Sequence, residues 1–189
     1  MSFGRVLRPA MRVASVLILI LSIVYGVSSP FRDAVNKRVT SVKETLLSKV
    51  KPEYFQVHPL TSKASSEVKD NPGPLAVDGF KNTFWIAPAT DPQPILDVTF
   101  DEAATIDKVI VRNGQPDNFQ STNRPQLLHL VFPNGRSFDL TVKDDPGEHT
   151  YSVNSHGKVT SVEIHIGQVY KAFNPSGTAL TEVEFFRKK

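Results

Sequence analysis

Two stretches of this 189-residue chain set aromatic rings among amide, guanidinium and ammonium donors. Residues 112–124 (RNGQPDNFQSTNR) place Phe119 among Arg112, Asn113, Gln115, Asn118, Asn123 and Arg124. Residues 168–176 (QVYKAFNPS) offer Tyr170 and Phe173 beside Lys171 and Asn174. These residue types suit a polyhydroxylated ligand. An aromatic face covers the C–H side of a sugar ring, while amides and guanidinium groups meet its hydroxyls. The candidates for ligand contact are Arg112, Asn113, Gln115, Asn118, Phe119, Arg124, Tyr170 and Phe173. The plainer alternative is a polar loop with one aromatic tucked into the core, and Arg124, which precedes Pro125, would then anchor the loop.

Little else in the sequence could do chemistry. The five histidines (His58, His129, His149, His156, His165) show no metal-site spacing and read as surface or strand residues. The absence of cysteine removes disulfides, thiolate metal sites and a cysteine nucleophile. There is no Gly-x-Ser-x-Gly elbow and no glycine-rich phosphate loop. Asp144-Asp145-Pro146-Gly147 is turn chemistry rather than a paired-carboxylate site. No catalytic constellation emerges, and the chain is read as a non-enzyme.

Charge narrows the partners. Residues 1–54 hold nine Lys/Arg and three Asp/Glu, a net of +6; the remainder holds thirteen and sixteen, a net of −3, giving the overall +3. The basic excess is N-terminal, so the folded part lacks the positive stripe that phosphate backbones require, and nucleic acid is not expected. An anionic membrane surface suits the basic segment better.

The elements that must position these residues follow from periodicity. Residues 13–31 are uncharged and lie between Arg12 and Arg32. A helix of that length reaches about 28 Å, near the thickness of a bilayer core. The expected organisation is a short cytoplasmic tail (1–12), a transmembrane helix (13–31), an amphipathic helical linker (32–54) and a β-domain (55–189). The rival for the first part is a cleaved signal peptide, with Gly26-Val27-Ser28 as its cleavage site. In the linker, Val35, Val39, Val42, Leu46 and Val50 form an apolar stripe at helical spacing. It reads either as a stalk lying on the membrane or the domain, or as a self-association helix over residues 35–50.

After residue 55 the period becomes two. Leu96, Val98 and Phe100 alternate with Asp97 and Thr99, and the same holds around Phe138, Leu140 and Val142, around Val162, Ile164 and Ile166, and around Val183 and Phe185. Each run reads as a half-buried strand with one wet face. Residues 105–113 and 126–132 are apolar on both faces, as central strands are. Asn134-Gly135 between two strands is a hairpin signal. Several short strands with turn residues between them predict an all-β sandwich or jelly roll.

The ordered set Ala64-Ser65-Ser66, Ala76-Val77-Asp78-Gly79, Asn82-Thr83-Phe84-Trp85, Val109 to Gly114 and Thr181 to Phe186 resembles the discoidin-like (coagulation factor V/VIII C-type) jelly roll. It is most similar to actinobacterial membrane proteins that carry the glycan-binding-type domain named after the accessory domain of a streptococcal NADase. The resemblance covers about residues 56–187. It implies that the lone Trp85 is core rather than a sugar platform, and that ligands meet loops at one end of the sandwich. Related modules often hold a structural Ca²⁺, and Asp78, Asn82, Thr83 and Glu182 match the ligand positions. Phe80 stands where the family often has Asn or Asp, so a turn without metal remains the alternative. The implied protein is a single-pass, membrane-anchored binding module whose C-terminal domain lies outside the cytoplasmic membrane and recognises cell-envelope or cell-surface glycan. The competing reading is a non-catalytic assembly subunit that docks on a protein partner in a membrane complex.

Overall fold

In the computed structural model, the described residues are 52–189 except Asn174, together with Ser22, Tyr25, Gly26, Ser28 to Pro30, Asp33 and Asn36 to Arg38. The chain divides into two compact units, Met1–Lys51 and Pro52–Lys189. In the first unit the Tyr25 hydroxyl donates to Asn36 Oδ1 at 2.8 Å. Most of the expected span over residues 13–31, and all five residues of the apolar stripe from Val35 to Val50, lie outside the described residues. Among the described residues, no helix is long and apolar enough to cross a membrane.

The second unit is all-β. Its strands are β1 (Tyr54–Val57), β2 (Pro59–Ala64), β3 (Trp85–Pro88), β4 (Ile95–Ala104), β5 (Lys108–Asn113), β6 (Arg124–Val131), β7 (Ser137–Thr141), β8 (Glu148–Ser152), β9 (Val159–Tyr170) and β10 (Gly177–Lys188). They form two antiparallel five-stranded sheets. One runs β1-β10-β5-β8, with β3 also paired to β10; the other runs β2-β4-β9-β6-β7.

The alternating runs are strands, and their apolar members fill the space between the sheets. Leu96, Val98 and Phe100 of β4 and Val162, Ile164 and Ile166 of β9 are buried, facing Val109, Val111, Val183 and Phe185 of the other sheet. Phe100 and Phe185 meet edge to face across the sheets, with ring centroids 5.1 Å apart. Each such side chain contributes about 1.5–3 kcal/mol by leaving water. Trp85 is also fully buried, and its indole N–H donates to Ser66 O at 3.0 Å, so it is a core residue. The Asn134-Gly135 turn joins β6 to β7, with Gly135 at φ 81° and its N–H on Phe132 O.

Two expectations change in detail. The runs 105–113 and 126–132 do not bury both faces: β5 alternates half-buried with buried positions, and β6 does the same from Leu127 to Val131. Strand β10 in turn does not keep one face wet, and Gly177 through Val183 are all buried. The register of β10 against β5 slips between Leu180, opposite Asn113, and Glu182, opposite Arg112. A bulge of this kind inserts one residue and reverses the parity of the residues beyond it. Leu180 and Val183 therefore both belong to the core. The inserted Thr181 donates to Gly114 O at 2.6 Å, and Glu182 takes the opposite face beneath the Asp78-Gly79 turn.

Candidate functional site

The β5–β6 connection and the β9–β10 connection lie together at one end of the sandwich. Asn123 joins them. Its N–H donates to Gly177 O, its carbonyl accepts from Ala179 N, and its Oδ1 accepts from Ala172 N at 3.0 Å. The β5–β6 loop is braced by Ser121, whose hydroxyl bonds Gln115 Oε1 at 2.9 Å and Asn118 O at 2.8 Å.

Beneath the loop lies a packed base. Gly114 has φ 70°, and a Cβ there would stand 2.6 Å from the Phe119 ring, so only glycine lets that ring close down. Phe119 also lies against the Arg124 guanidinium, 5.1 Å from ring centroid to Cζ. Arg124 is 5% exposed. It makes a fork to Asp144, Nε to Oδ1 at 2.6 Å and Nη2 to Oδ2 at 3.0 Å, and its Nη1 donates to Thr122 O. Planar bidentate pairing of this kind satisfies a guanidinium withdrawn from water. Asn113 points inward too, donating to Pro125 O and Lys143 O while accepting from Gly114 N. Tyr170 is half-buried, with its hydroxyl on Val142 O at 3.0 Å.

The eight candidate ligand residues therefore separate. Asn113 and Arg124 are buried supports, and Phe119 and Tyr170 form the half-buried floor. Arg112 leaves the group: it lies on the outer face of the first sheet and bonds Glu148 and Pro146 O. Gln115 is half-buried with its Oε1 held by Ser121, Asn118 is exposed, and Phe173 is 99% exposed. Lys171 beside it is exposed as well, and Asn174 lies outside the described residues. This end offers to solvent one uncovered ring, one ammonium and several amides on two cross-linked loops.

A second cluster forms at the Asp78-Gly79 turn. Gly79, at φ 81°, turns the chain so that its N–H reaches Glu182 Oε2 at 3.2 Å. Asp78 accepts from Phe80 N at 2.9 Å and from the Thr83 hydroxyl at 2.9 and 3.0 Å. Burial of Glu182, with the Asp78 charge as the next cause, pushes its carboxyl up to about 8. No basic side chain is bonded to either carboxylate among the described residues. Hard oxygen donors brought from residues 78–83 and from the last strand are the donor type that Ca²⁺ takes. Asp78, Thr83 and Glu182 fit that role. Asn82 is exposed and its side chain hydrogen-bonds neither Asp78 nor Glu182, and Phe80 is 62% exposed.

Periodicity carries no sign of the buried charge. Glu182 sits in an alternating run where an outward carboxylate is ordinary; the bulge, the overlying turn and the side chains beside it, among them Ile110 and Arg112 of β5, enclose it. Thr122, whose buried hydroxyl has no hydrogen-bond partner among the described residues, and Asp144 also escape a reading of motifs and spacing.

Solved structures share this architecture at low identity. The family 32 carbohydrate-binding module of Clostridium perfringens NanJ, in complex with galactose, has a TM-score of 0.54 at 17% identity, covering 71% of this chain and all of that one. Chitosan-binding module 1 of a Paenibacillus sp. IK-5 chitosanase/glucanase also gives 0.54 at 17%, covering 68% and 96%. The family 32 module of AlyQ, in complex with 4,5-unsaturated mannuronic acid, gives 0.51 at 16%, covering 70% and 98%. These similarities show the fold. No curated protein matches the sequence. The model of one family, however, matches residues 61–186, which include β3 to β9, both clusters and nearly all of β10. The chain therefore belongs to the NAD glycohydrolase translocation F5/8 type C domain family.

Proposed function

We propose that the domain is a non-catalytic glycan-binding module whose ligand face is the loop end carrying Phe173, Lys171, Gln115 and Asn118. The observation that carries this reading is the Phe173 ring, 99% exposed on a connection that Asn123 ties to the polar β5–β6 loop. A bare aromatic on a braced loop can stack on a sugar at little cost in conformational entropy, and the surrounding amides select among hydroxyls. The galactose, chitosan and mannuronate named for the similar structures support the ligand class. Binding is weak, with Kd on the order of 10 μM to 1 mM. Phe173→Ala should weaken retention on cell-envelope polysaccharide about tenfold with no change in melting temperature. Equal retention by parent and variant, measured by pull-down, would remove the ligand from this loop.

Asp78, Thr83 and Glu182 would hold a structural Ca²⁺. Its contribution is to clip the turn to the last strand, without taking part in any reaction.

The uncharged run 13–31 anchors the chain and holds residues 55–189 outside the cytoplasmic membrane. Arg136 beside the hairpin turn is exposed. In this cysteine-free chain an Arg136→Cys variant should react with an impermeant maleimide on intact cells; labelling only after lysis reverses the topology.

A groove of about 200 Å³ supports the assembly-subunit reading instead. Pro59, Leu60, Pro74 and Val77 line it together with Thr61, Ser62 and Asp78, and Leu60 is 64% exposed. Stoichiometric proteins that co-purify with the full chain, and are lost on Leu60→Asp, would favour that role.

A further inference from the structure

The second sheet places two histidines side by side on its outer face. His129 of β6 and His165 of β9 are directly opposed across the ladder. Both side chains reach solvent, at 41% and 33% exposure. Their ring centroids are 6.0 Å apart, with the planes at 73°. Each ring is held by its own carboxylate. His129 Nδ1 lies 2.5 Å from Asp139 Oδ1, contributed by β7, and His165 Nε2 lies 2.9 Å from Glu163 Oε2, two residues earlier on β9.

We propose that this pair is a surface site for a divalent transition-metal ion such as Zn²⁺, held by His129 and His165. The carboxylates set the chemistry. A neutral imidazole that donates one N–H to a carboxylate carries its lone pair on the other nitrogen and is the more basic ligand for it. That leaves Nε2 of His129 and Nδ1 of His165 as the ligating atoms. The spacing agrees. With a metal–nitrogen bond of about 2.0–2.1 Å, a shared ion sits roughly 3.2 Å from each ring centroid, and a tetrahedral angle puts the centroids about 5 Å apart. The observed separation is within about 1 Å of that, a distance that small side-chain rotations cover.

Among the described residues, no third His, Cys, Asp or Glu converges on the two rings to complete a site, so the site is bidentate and water completes the coordination. Imidazole ligands favour Zn²⁺, Cu²⁺ and Ni²⁺ over Ca²⁺, which separates this site from the oxygen-donor cluster at Asp78 and Glu182. A bound ion would link β6 to β9 on the side of the sandwich away from the core, and Asp139 and Glu163 offset its charge.

The test uses the full-length chain purified in detergent with a tag free of histidine, titrated calorimetrically with ZnCl₂. One Zn²⁺ per chain is expected, with Kd on the order of 10 μM. His129→Ala and His165→Ala should each weaken binding at least tenfold, and Asp139→Asn should weaken it about tenfold by releasing the ring it orients. Glu182→Gln should leave the affinity unchanged. Melting curves recorded without metal establish that the variants are folded. Asp139→Asn, which removes no ring, tests the same site independently should a histidine variant unfold. No saturable binding below about 1 mM, or parental affinity in both histidine variants, overturns the proposal.

Discussion

Two corners of the sandwich bury a charged group, and they do so with opposite electrostatics. At the loop end Arg124 is withdrawn from water but forked onto Asp144, with a further bond to Thr122 O. At the Asp78-Gly79 turn Glu182 is withdrawn from water beside another carboxylate, and the donor that reaches it is a backbone N–H, that of Gly79. A buried ion with its counter-ion holds structure together, whereas a buried ion beside a like charge must take up a proton or a cation. The first corner is complete as it stands and supports the loop above it. The second is poised to respond to the protons and cations of the solvent.

The largest expected effect comes from breaking the complete corner. Arg124→Ala removes the fork to Asp144 and the packing under Phe119; with Asp144 39% exposed and free to rehydrate, it should destabilise the domain by about 2–4 kcal/mol. Its melting temperature, followed by circular dichroism, should fall well below that of the parent. A near-parental value would show that the fork carries no structural weight.

The next effect belongs to the incomplete corner. Glu182 takes up its proton near pH 8 in the folded chain but at the ordinary value of 4.5 when unfolded. Folding therefore binds a proton between those two values. Its contribution is full below about pH 4.5, declines as pH rises through the window and is gone above about pH 8, a change on the order of a few kcal/mol. Glu182→Gln imitates the protonated carboxyl. In chelator, the melting temperature of the parent should fall several degrees further than that of the variant between pH 5 and pH 8.5. Parallel curves would remove Glu182 as the source.

A smaller effect separates proton from metal. An ion that binds only the folded state stabilises it by about 2.7 kcal/mol at a hundredfold excess over Kd. Excess Ca²⁺ at pH 8 should raise the melting temperature of the parent and leave Glu182→Gln unmoved. No shift in the parent assigns the corner to a proton alone. Smallest of all is the stability change in Phe173→Ala, expected to be nil, because that ring touches solvent on all sides.

The class of fold was legible in the order of residues. The strands around residues 96–100, 138–142, 162–166 and 182–185 follow from a two-residue period, the hairpin at Asn134-Gly135 from turn chemistry, and the buried Trp85 from the family resemblance. The first two are local, and the family resemblance extends over the same stretch. Periodicity reports which face of a strand is dry, but not which strand lies beside it. The remaining features came from long-range pairing. It brought Asp144 to Arg124 across 20 residues and Gly79 to Glu182 across 103. It set His165 against His129 through the register of β9 on β6. It also turned Asn113 inward and Arg112 outward, although the two are adjacent in one polar run. Parity along a strand assigns opposite faces to neighbouring residues, and a single bulge at Thr181 reverses that parity. Residues of the same type in the same loop thus end in different environments, as support, floor or exposed contact, because pairing and bulges are set by the whole sheet.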